Sequence, residues 1–167
     1  MLVGCGAVKF GRFRLTSGRE SDYYIDIKAA STRPEILRRI AEEMAKYVKG
    51  TRLAGMELGA VPIVAAVSLQ TGLPFVMLRK QPREHGTGSQ IEGELRAGEM
   101  VTLLEDVATT GGSMLRSVAL LRGAGAEVPR AVVVVDREEG AREALQREGV
   151  ELVALVKISE LLGARGR

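Results

Sequence analysis

The chain has few of the residues on which cross-links and metal centres depend. Its 167 residues include one cysteine, Cys5, and one histidine, His85. A single cysteine excludes an internal disulfide framework and a metal site built from clustered cysteines. Aromatic residues make up only 4% of the chain, whereas hydrophobic residues make up 46%. We therefore expect one domain with a core of valine, leucine, alanine and isoleucine, since a chain of this length buries a substantial core.

Long apolar segments are also missing. No apolar run approaches the roughly 20 residues of a membrane-spanning helix, and the first ten residues lack the apolar region of a secretory signal. We expect a cytoplasmic protein with no membrane partner. The net charge of +3 fits an enzyme with anionic substrates and would fit a nucleic-acid-binding protein equally well. Because aromatic and basic residues do not interleave, we expect no nucleic-acid partner.

Two common phosphate-binding motifs are absent. No Gly-x-x-x-x-Gly-Lys-[Ser/Thr] segment occurs, and Gly123 and Gly125 do not extend to Gly-x-Gly-x-x-Gly. The most informative segment is instead Val-Thr-Leu-Leu-Glu-Asp-Val-Ala-Thr-Thr-Gly-Gly-Ser, residues 101–113. The apolar run from Met100 to Leu104 predicts a buried parallel strand. Glu105 and Asp106 would then emerge at its carboxyl end, where open α/β sheets bind ligands.

Small and hydroxyl-bearing residues follow these two acids. Thr109 to Ser113 can turn several backbone N–H groups inward, and a helix predicted to begin at Ser113 adds positive potential. The alternative is a tight strand-to-helix turn that binds nothing. Two carboxylates beside a phosphate cradle argue against it, because they would repel the phosphate unless they held ribose hydroxyls or, through water, a metal. The segment therefore predicts a site for a phosphorylated sugar.

Strand-like and helix-like segments alternate over most of the chain, which predicts βαβ units around a mostly parallel sheet. One predicted helix has Pro34 in its first turn and Thr32 as a candidate cap. Residues 1–30 do not alternate in this way. They predict a small β-rich hood with two short strands around a turn at Ser17-Gly18. We expect residues 1–167 to form a single domain.

Residues 79–93 form a long basic loop with Ile91 as its only aliphatic side chain. The ordinary interpretation of such a composition is a solvated, disordered loop. This loop, however, contains the only histidine of the chain and three cations within seven residues, and long loops inside compact domains are often lids. A mobile cationic lid would neutralise a departing pyrophosphate and keep water from an activated sugar.

Three segments, in order along the chain, resemble a known enzyme family. Residues 101–113 resemble the signature of the type I phosphoribosyltransferases, which use phosphoribosyl pyrophosphate (PRPP). Residues 10–26 read Phe-Gly-x-Phe-x-Leu-x-Ser-Gly-x-x-Ser-x-Tyr-Tyr-x-Asp, and they resemble the amino-terminal region of the orotate phosphoribosyltransferases. The lid resembles theirs through Arg79-Lys80, Arg83 and His85-Gly86. The resemblance implies the type I phosphoribosyltransferase fold, an α/β fold whose mostly parallel central sheet is flanked by helices and carries an N-terminal β-rich hood.

The same resemblance implies a reaction and its components. The ribose 5-phosphate group of PRPP would pass to N1 of orotate, giving orotidine 5′-monophosphate and pyrophosphate in pyrimidine biosynthesis. Magnesium would accompany PRPP, bound mainly through substrate oxygens and water. A homodimer is implied, with the lid of each subunit reaching the neighbouring site. The implied roles are pyrophosphate binding and catalysis for Arg79, Lys80, Arg83 and His85; ribose binding for Glu105 and Asp106, with Asp106 also catalytic; PRPP binding for Val107, Ala108, Thr109, Thr110, Gly111, Gly112 and Ser113; and orotate binding for Thr109 and Arg137.

Some positions differ from many bacterial members of this family. Thr16 and Gly59 stand where those members have lysine, and Arg83 replaces the second lysine of the lid. Arginine keeps the charge at position 83 but is a poorer proton donor. Lys28 is a candidate to supply one missing charge, and the pattern resembles archaeal members. The guanidinium of Arg137 suits the orotate carboxylate, although an ordinary surface arginine is the alternative.

Three other functions remain open at this point, and one of them, a basic nucleic-acid-binding protein, rests only on charge. A phosphoribosyltransferase for another nucleobase would share the donor site. A non-catalytic PRPP-sensing regulator would keep residues 105–113 and lose the cationic lid, which is present here.

Overall fold

A computed structural model describes residues 2, 4–14, 20–82 and 88–163. The predicted turn at Ser17-Gly18 and the lid residues Arg83 and His85 lie outside these ranges. The elements, in chain order, are β1 (Val8–Arg14), β2 (Glu20–Ile25), α1 (Ile27–Ser31), α2 (Pro34–Ala45), β3 (Arg52–Met56), α3 (Ala60–Thr71), β4 (Phe75–Leu78), β5 (Ile91–Glu92), β6 (Met100–Ala108), α4 (Gly112–Gly123), β7 (Glu127–Asp136), α5 (Ala141–Arg147), β8 (Glu151–Lys157) and α6 (Ile158–Gly163).

A six-stranded sheet with the order β5-β4-β3-β6-β7-β8 forms the centre of the described structure. Its strands are parallel except β5, which runs antiparallel to β4. Helices α2, α3 and α6 contribute to the core cluster on one face, and α4 and α5 contribute to the second cluster. All five residues of β3 are buried, as expected for a strand covered on both faces. The predicted α/β architecture is confirmed.

The strand order reverses direction between β3 and β6. The chain passes from β3 outward to β4 on one side, whereas β6, β7 and β8 follow one another on the other side. Ligands of open α/β sheets bind in the crevice outside the carboxyl ends of the strands at such a switch point. None of the helices among the described residues combines the length and the apolar character needed to cross a membrane.

The amino-terminal hood contains the two predicted strands. Strands β1 and β2 pair antiparallel, from Val8 opposite Ile25 outward, with an irregularity between Phe10 and Phe13. Ala7 and Val8 are buried in the same core cluster as α2 and α3. The hood also contains helix α1, which was not predicted because five residues are too few to show a helical period.

The predicted cap of helix α2 is wrong. Thr32 ends helix α1, where its hydroxyl donates a hydrogen bond of 2.7 Å to the carbonyl of Ala29. The residue before α2 is Arg33, whose side chain makes no capping hydrogen bond, and Pro34 occupies the first turn. Because the short helix α1 lies directly before α2, Thr32 serves the end of one helix instead of the start of the next.

Two further boundaries differ from the sequence-based expectation. Strand β6 does not end at Leu104 but continues to Ala108, because it stays paired with β7 up to the partners Ala108 and Asp136. Helix α4 begins at Gly112, one residue before the predicted start. The predicted lid also contains regular structure at its end, where Ile91 pairs with Leu78 in the β4–β5 ladder.

Candidate functional site

The two acids of the predicted site lie within strand β6, not beyond it. Glu105 and Asp106 are only 6% and 9% exposed, so both carboxyl groups belong to the wall of the site and not to a solvated loop. The backbone N–H of Val107 donates a hydrogen bond of 2.9 Å to Oδ1 of Asp106. This bond fixes one oxygen of the Asp106 carboxylate, and the other oxygen, Oδ2, contacts different residues.

Burial changes the protonation of Glu105. The pKa of Glu105 is raised from 4.5 to about 8, mainly because burial removes water and secondly because Asp106 repels the charged form. The positive charge of Lys80 acts in the opposite direction. A buried carboxylic acid beside a second carboxylate keeps its proton to a higher pH than an exposed one. Glu105 therefore offers a proton donor near neutral pH, which suits binding of sugar hydroxyl groups.

Asp106 is held between a glycine and a lysine from distant parts of the chain. A Cβ atom at Gly59 would lie 2.2 Å from Oδ2 of Asp106, so the carboxylate occupies space that any other residue at position 59 would fill. Lys28 Nζ lies 3.4 Å from the same oxygen. The sequence suggested that Lys28 replaces one of the lysines that bacterial relatives have at other positions. Its ammonium group does lie at the predicted site.

The predicted anion cradle follows strand β6 directly. Gly111 adopts φ of 87° and precedes α4, a left-handed conformation that favours glycine. A Cβ at this glycine would meet the backbone of Ala141 at 3.1 Å. No side chain caps α4 by a hydrogen bond, so the first N–H groups of the helix face outward as donors for an anion. Thr110 and Gly112 are exposed and Thr109 and Ser113 are partly exposed.

Arg137 lies beside this cradle because β6 and β7 are neighbours. Its backbone N–H donates a hydrogen bond of 2.9 Å to the carbonyl of Ala108. Its guanidinium carbon lies 5.2 Å from the centre of the Tyr23 ring, and Nη2 approaches the Tyr23 hydroxyl at 3.5 Å. Nε lies 2.9 Å from a carboxylate oxygen of Glu139. Its side chain is 14% exposed, so Arg137 is not an ordinary surface arginine.

The base of the predicted lid is anchored next to the carboxylates. The backbone N–H of Lys80 donates a hydrogen bond of 2.9 Å to Oε1 of Glu57, just after β3. The Arg79 N–H donates to the carbonyl of Gln90 at 2.8 Å, and the Arg79 guanidinium pairs with Glu92 at 3.5 Å. Both cations therefore start from ordered backbone at the end of β4.

Most of the predicted site residues come together at one edge of the sheet. The acids, the cradle and Arg137 follow β6 and β7, and Arg79 and Lys80 follow β4. Sequence reasoning did not assign a site role to Gly59 or recognise that Tyr23 contacts Arg137. The available signal for Gly59 was a glycine in the turn directly after a buried strand at the switch point.

The carboxylate oxygens at this site suit a hard cation that takes most of its ligands from the substrate and from water. Among the described residues, no group of three or more histidine, cysteine, aspartate or glutamate side chains lies close enough to hold a metal ion. Two carboxyl groups, Glu105 and Asp106, are present. This set fits Mg²⁺ that takes its ligands mainly from phosphate oxygens and water, since Mg²⁺ in phosphate sites commonly retains several waters.

A carboxylate pair beside an uncapped helix start, at the switch point of a mostly parallel sheet, is typical of sites for phosphorylated sugars. The phosphoribosyl transferase domain family matches residues 27–153. The chain is also 53% identical to the orotate phosphoribosyltransferase of Pyrococcus furiosus, over 99% of this chain and 94% of the relative. It belongs to the phosphoribosyltransferases and, within them, to the orotate phosphoribosyltransferases.

Solved structures agree with this assignment. The orotate phosphoribosyltransferase of Aeropyrum pernix superimposes with a TM-score of 0.86 and 35% identity, over 99% of this chain and 96% of that chain. The enzyme of Mycobacterium tuberculosis in complex with PRPP gives a TM-score of 0.73 and 32% identity, over 90% of this chain and 89% of that chain.

Proposed function

We propose that this enzyme transfers the ribose 5-phosphate group of PRPP to N1 of orotate and releases orotidine 5′-monophosphate and pyrophosphate. The observation that carries the proposal is the position of Arg137 beside the carboxylate pair and the cradle, joined to strand β6 through the carbonyl of Ala108. One edge of the sheet thus combines a site for a phosphorylated sugar with a guanidinium for an anionic base.

The donor half of the site consists of strand β6 and the start of α4. Glu105 and Asp106 exchange hydrogen bonds with the ribose 2′ and 3′ hydroxyls. Residues 107–113 surround the 5′-phosphate, with backbone N–H groups from the start of α4 as the main donors. Fixing the sugar at both ends holds C1 in one position, which lowers the entropic cost of reaching the transition state.

The acceptor half of the site consists of Thr109 and Arg137. A guanidinium donates two parallel hydrogen bonds to a carboxylate, and orotate carries a carboxylate that uracil lacks. The contacts of Arg137 with Tyr23 and Glu139 hold the planar group before the base arrives. We expect selection of orotate over a neutral base, because a base without the carboxylate cannot accept the two parallel hydrogen bonds that the guanidinium offers.

Bond breaking at C1 leaves negative charge on the departing pyrophosphate and positive character on the sugar. Arg79, Lys80, Arg83 and His85 supply positive charge to the leaving group, and no protein nucleophile takes part. Bound Mg²⁺ would further neutralise the phosphate oxygens, with Glu105 and Asp106 reaching it through water. The enzyme thus holds two anions together and stabilises developing charge.

A comparison of acceptors tests the proposed function. Purified enzyme with PRPP and Mg²⁺ is offered orotate, uracil, adenine or hypoxanthine, and pyrophosphate release is measured under steady-state conditions. We expect turnover with orotate and a kcat/KM lower by at least about 100-fold for the other bases, since sites built around a buried polar contact discriminate strongly. Turnover of another base without turnover of orotate would overturn the proposal.

We also propose that the enzyme works in the cytoplasm as a homodimer, in which the lid acts at the neighbouring site. Two leucines at helix α3 are exposed: Leu58, just before the helix, is 73% exposed, and Leu69, within it, is 89% exposed. The helix is apolar along nearly its whole length. A helix that is apolar on all sides is normally buried. A second copy of the chain packed against α3 would cover this surface.

Mixing two variants of low activity tests this arrangement. His85→Ala removes a lid side chain and Asp106→Asn alters the donor site. If the lid acts across the dimer, heterodimers contain one intact site, and random exchange of subunits restores about a quarter of wild-type activity. If subunit exchange is demonstrated and activity does not recover, that result would contradict a lid that crosses between subunits. Leu69→Glu should release monomers in light scattering, and a dimer that persists would place the interface elsewhere.

A further inference from the structure

A lysine of the hood reaches the donor site through helix α1. Lys28 Nζ lies 3.4 Å from Oδ2 of Asp106, and the Asp106 side chain is only 12% exposed. The other oxygen of this carboxylate, Oδ1, accepts the N–H of Val107. Each carboxylate oxygen therefore has a separate partner, and the one that faces the hood is the oxygen beside Lys28.

The backbone that carries Lys28 is firmly placed. Asp26 accepts the N–H of Ala29 at 3.0 Å, and the Thr32 hydroxyl donates to the carbonyl of Ala29 at 2.7 Å, so α1 is held at both ends. Ile27 and Ala30 are 1% and 3% exposed and anchor the helix in the core. Only the Lys28 side chain, 63% exposed, extends from this anchored segment toward Asp106.

Charge explains why such a lysine is useful at this place. Glu105 and Asp106 are adjacent and largely buried, and a site floor with unopposed carboxylates would repel a polyphosphate. The charge of Lys80 acts on Glu105, and Lys28 pairs with Asp106. The two acids are therefore bracketed by two lysines, one from the hood and one from the base of the lid.

We propose that Lys28 is a positioning residue for Asp106: its ammonium orients Oδ2 toward the ribose and offsets the charge of the carboxylate pair, so that the donor binds. The role rests on the proposed function, because it assigns Asp106 to the donor site. It couples the hood to PRPP binding, whereas Arg137 and Tyr23 couple the hood to the acceptor.

Equilibrium binding of PRPP tests this role independently of any acceptor. The dissociation constant of PRPP with Mg²⁺ is measured calorimetrically for the wild type, Lys28→Met, Lys28→Arg and, as a matched control, Lys9→Met, which removes a hood lysine from β1. We expect Lys28→Met to weaken PRPP binding by roughly tenfold, as for loss of one charge-assisted contact. Lys28→Arg should recover most of the affinity, and Lys9→Met should bind as the wild type does.

Steady-state rates with orotate supply a second measurement. Lys28→Met should raise the KM for PRPP and leave the KM for orotate within about twofold, and the protein should remain folded in thermal unfolding, since the lysine itself is 63% exposed. Normal PRPP affinity in Lys28→Met, equal weakening in Lys28→Arg, or equal weakening in Lys9→Met would each overturn the role of Lys28. A wild type that binds PRPP but does not turn over orotate would overturn the proposed function and leave the role of Lys28 standing.

Discussion

Replacing Gly59 by alanine should damage the use of PRPP without unfolding the protein. Gly59 has φ of −64° and ψ of −38°, a conformation that any residue adopts, so backbone strain is not the cost. The cost is steric, because the added Cβ would lie 2.2 Å from Oδ2 and 2.6 Å from Cγ of Asp106, where ordinary contact begins at 3.4 Å.

The size of the effect follows from this overlap. The Asp106 carboxylate must retreat by roughly 1 Å, and a displacement of that size in a reacting site costs up to about 100-fold in rate. Retreat also strains the hydrogen bond from Val107 and the contact with Lys28. We therefore expect kcat/KM for PRPP to fall by about 10-fold to 100-fold, whereas the KM for orotate changes little.

Steady-state kinetics with each substrate varied in turn measure this loss, and thermal unfolding checks the fold. Gly123→Ala is the matched control, because a Cβ at Gly123 meets nothing within 4 Å. A Gly59→Ala enzyme with wild-type kcat/KM for PRPP would refute the placement of Asp106 against Gly59, and an equal loss in Gly123→Ala would show that the effect is not local.

Three other predictions concern charge and metal. Lys80→Ala should lower kcat more than it weakens orotate binding, because its charge acts on the leaving group; an unaffected rate would remove Lys80 from the mechanism. Burial raises the pKa of Glu105 from 4.5 to about 8, so the folded protein binds this proton more tightly than the unfolded chain. The resulting stability is fully present below about pH 4.5 and is lost as the pH rises to about 8. Glu105→Gln should remove that part of the decline in thermal unfolding, and an identical pH dependence in the variant would contradict it. Chelation of divalent cations should stop turnover and added Mg²⁺ should restore it, whereas turnover that survives chelation would argue against a metal requirement.

The alternation of elements and the turn from β6 into α4 were predictable because each depends on local patterns. Residues 100–104 are apolar except for Thr102, and the residues after Ala108 are small and polar. The end of β6 was not predictable, because Glu105 and Asp106 are held in the strand by pairing with β7. Tertiary pairing of this kind overrides the weak strand preference of acidic residues.

Contacts between distant residues account for the rest of what the sequence did not predict. Asp106 lies against Gly59 and Lys28. Both residues are far from Asp106 in the sequence, and no local period connects them. The same holds for Tyr23 and Arg137, which meet across a separation of 114 residues. The resemblance of residues 10–26 to a family segment indicated that the hood contributes to function, but only the packing of the hood shows which side chains it contacts.

We propose that Asp106 serves the donor and Arg137 serves the acceptor at one site. The most direct test measures KM for PRPP and for orotate side by side in Asp106→Asn and Arg137→Lys, the second of which keeps the charge but loses the planar fork. We expect a rise in the KM for PRPP in the first variant and a rise in the KM for orotate in the second, each by about tenfold or more. Equal changes in both constants, or the reverse pattern, would contradict it.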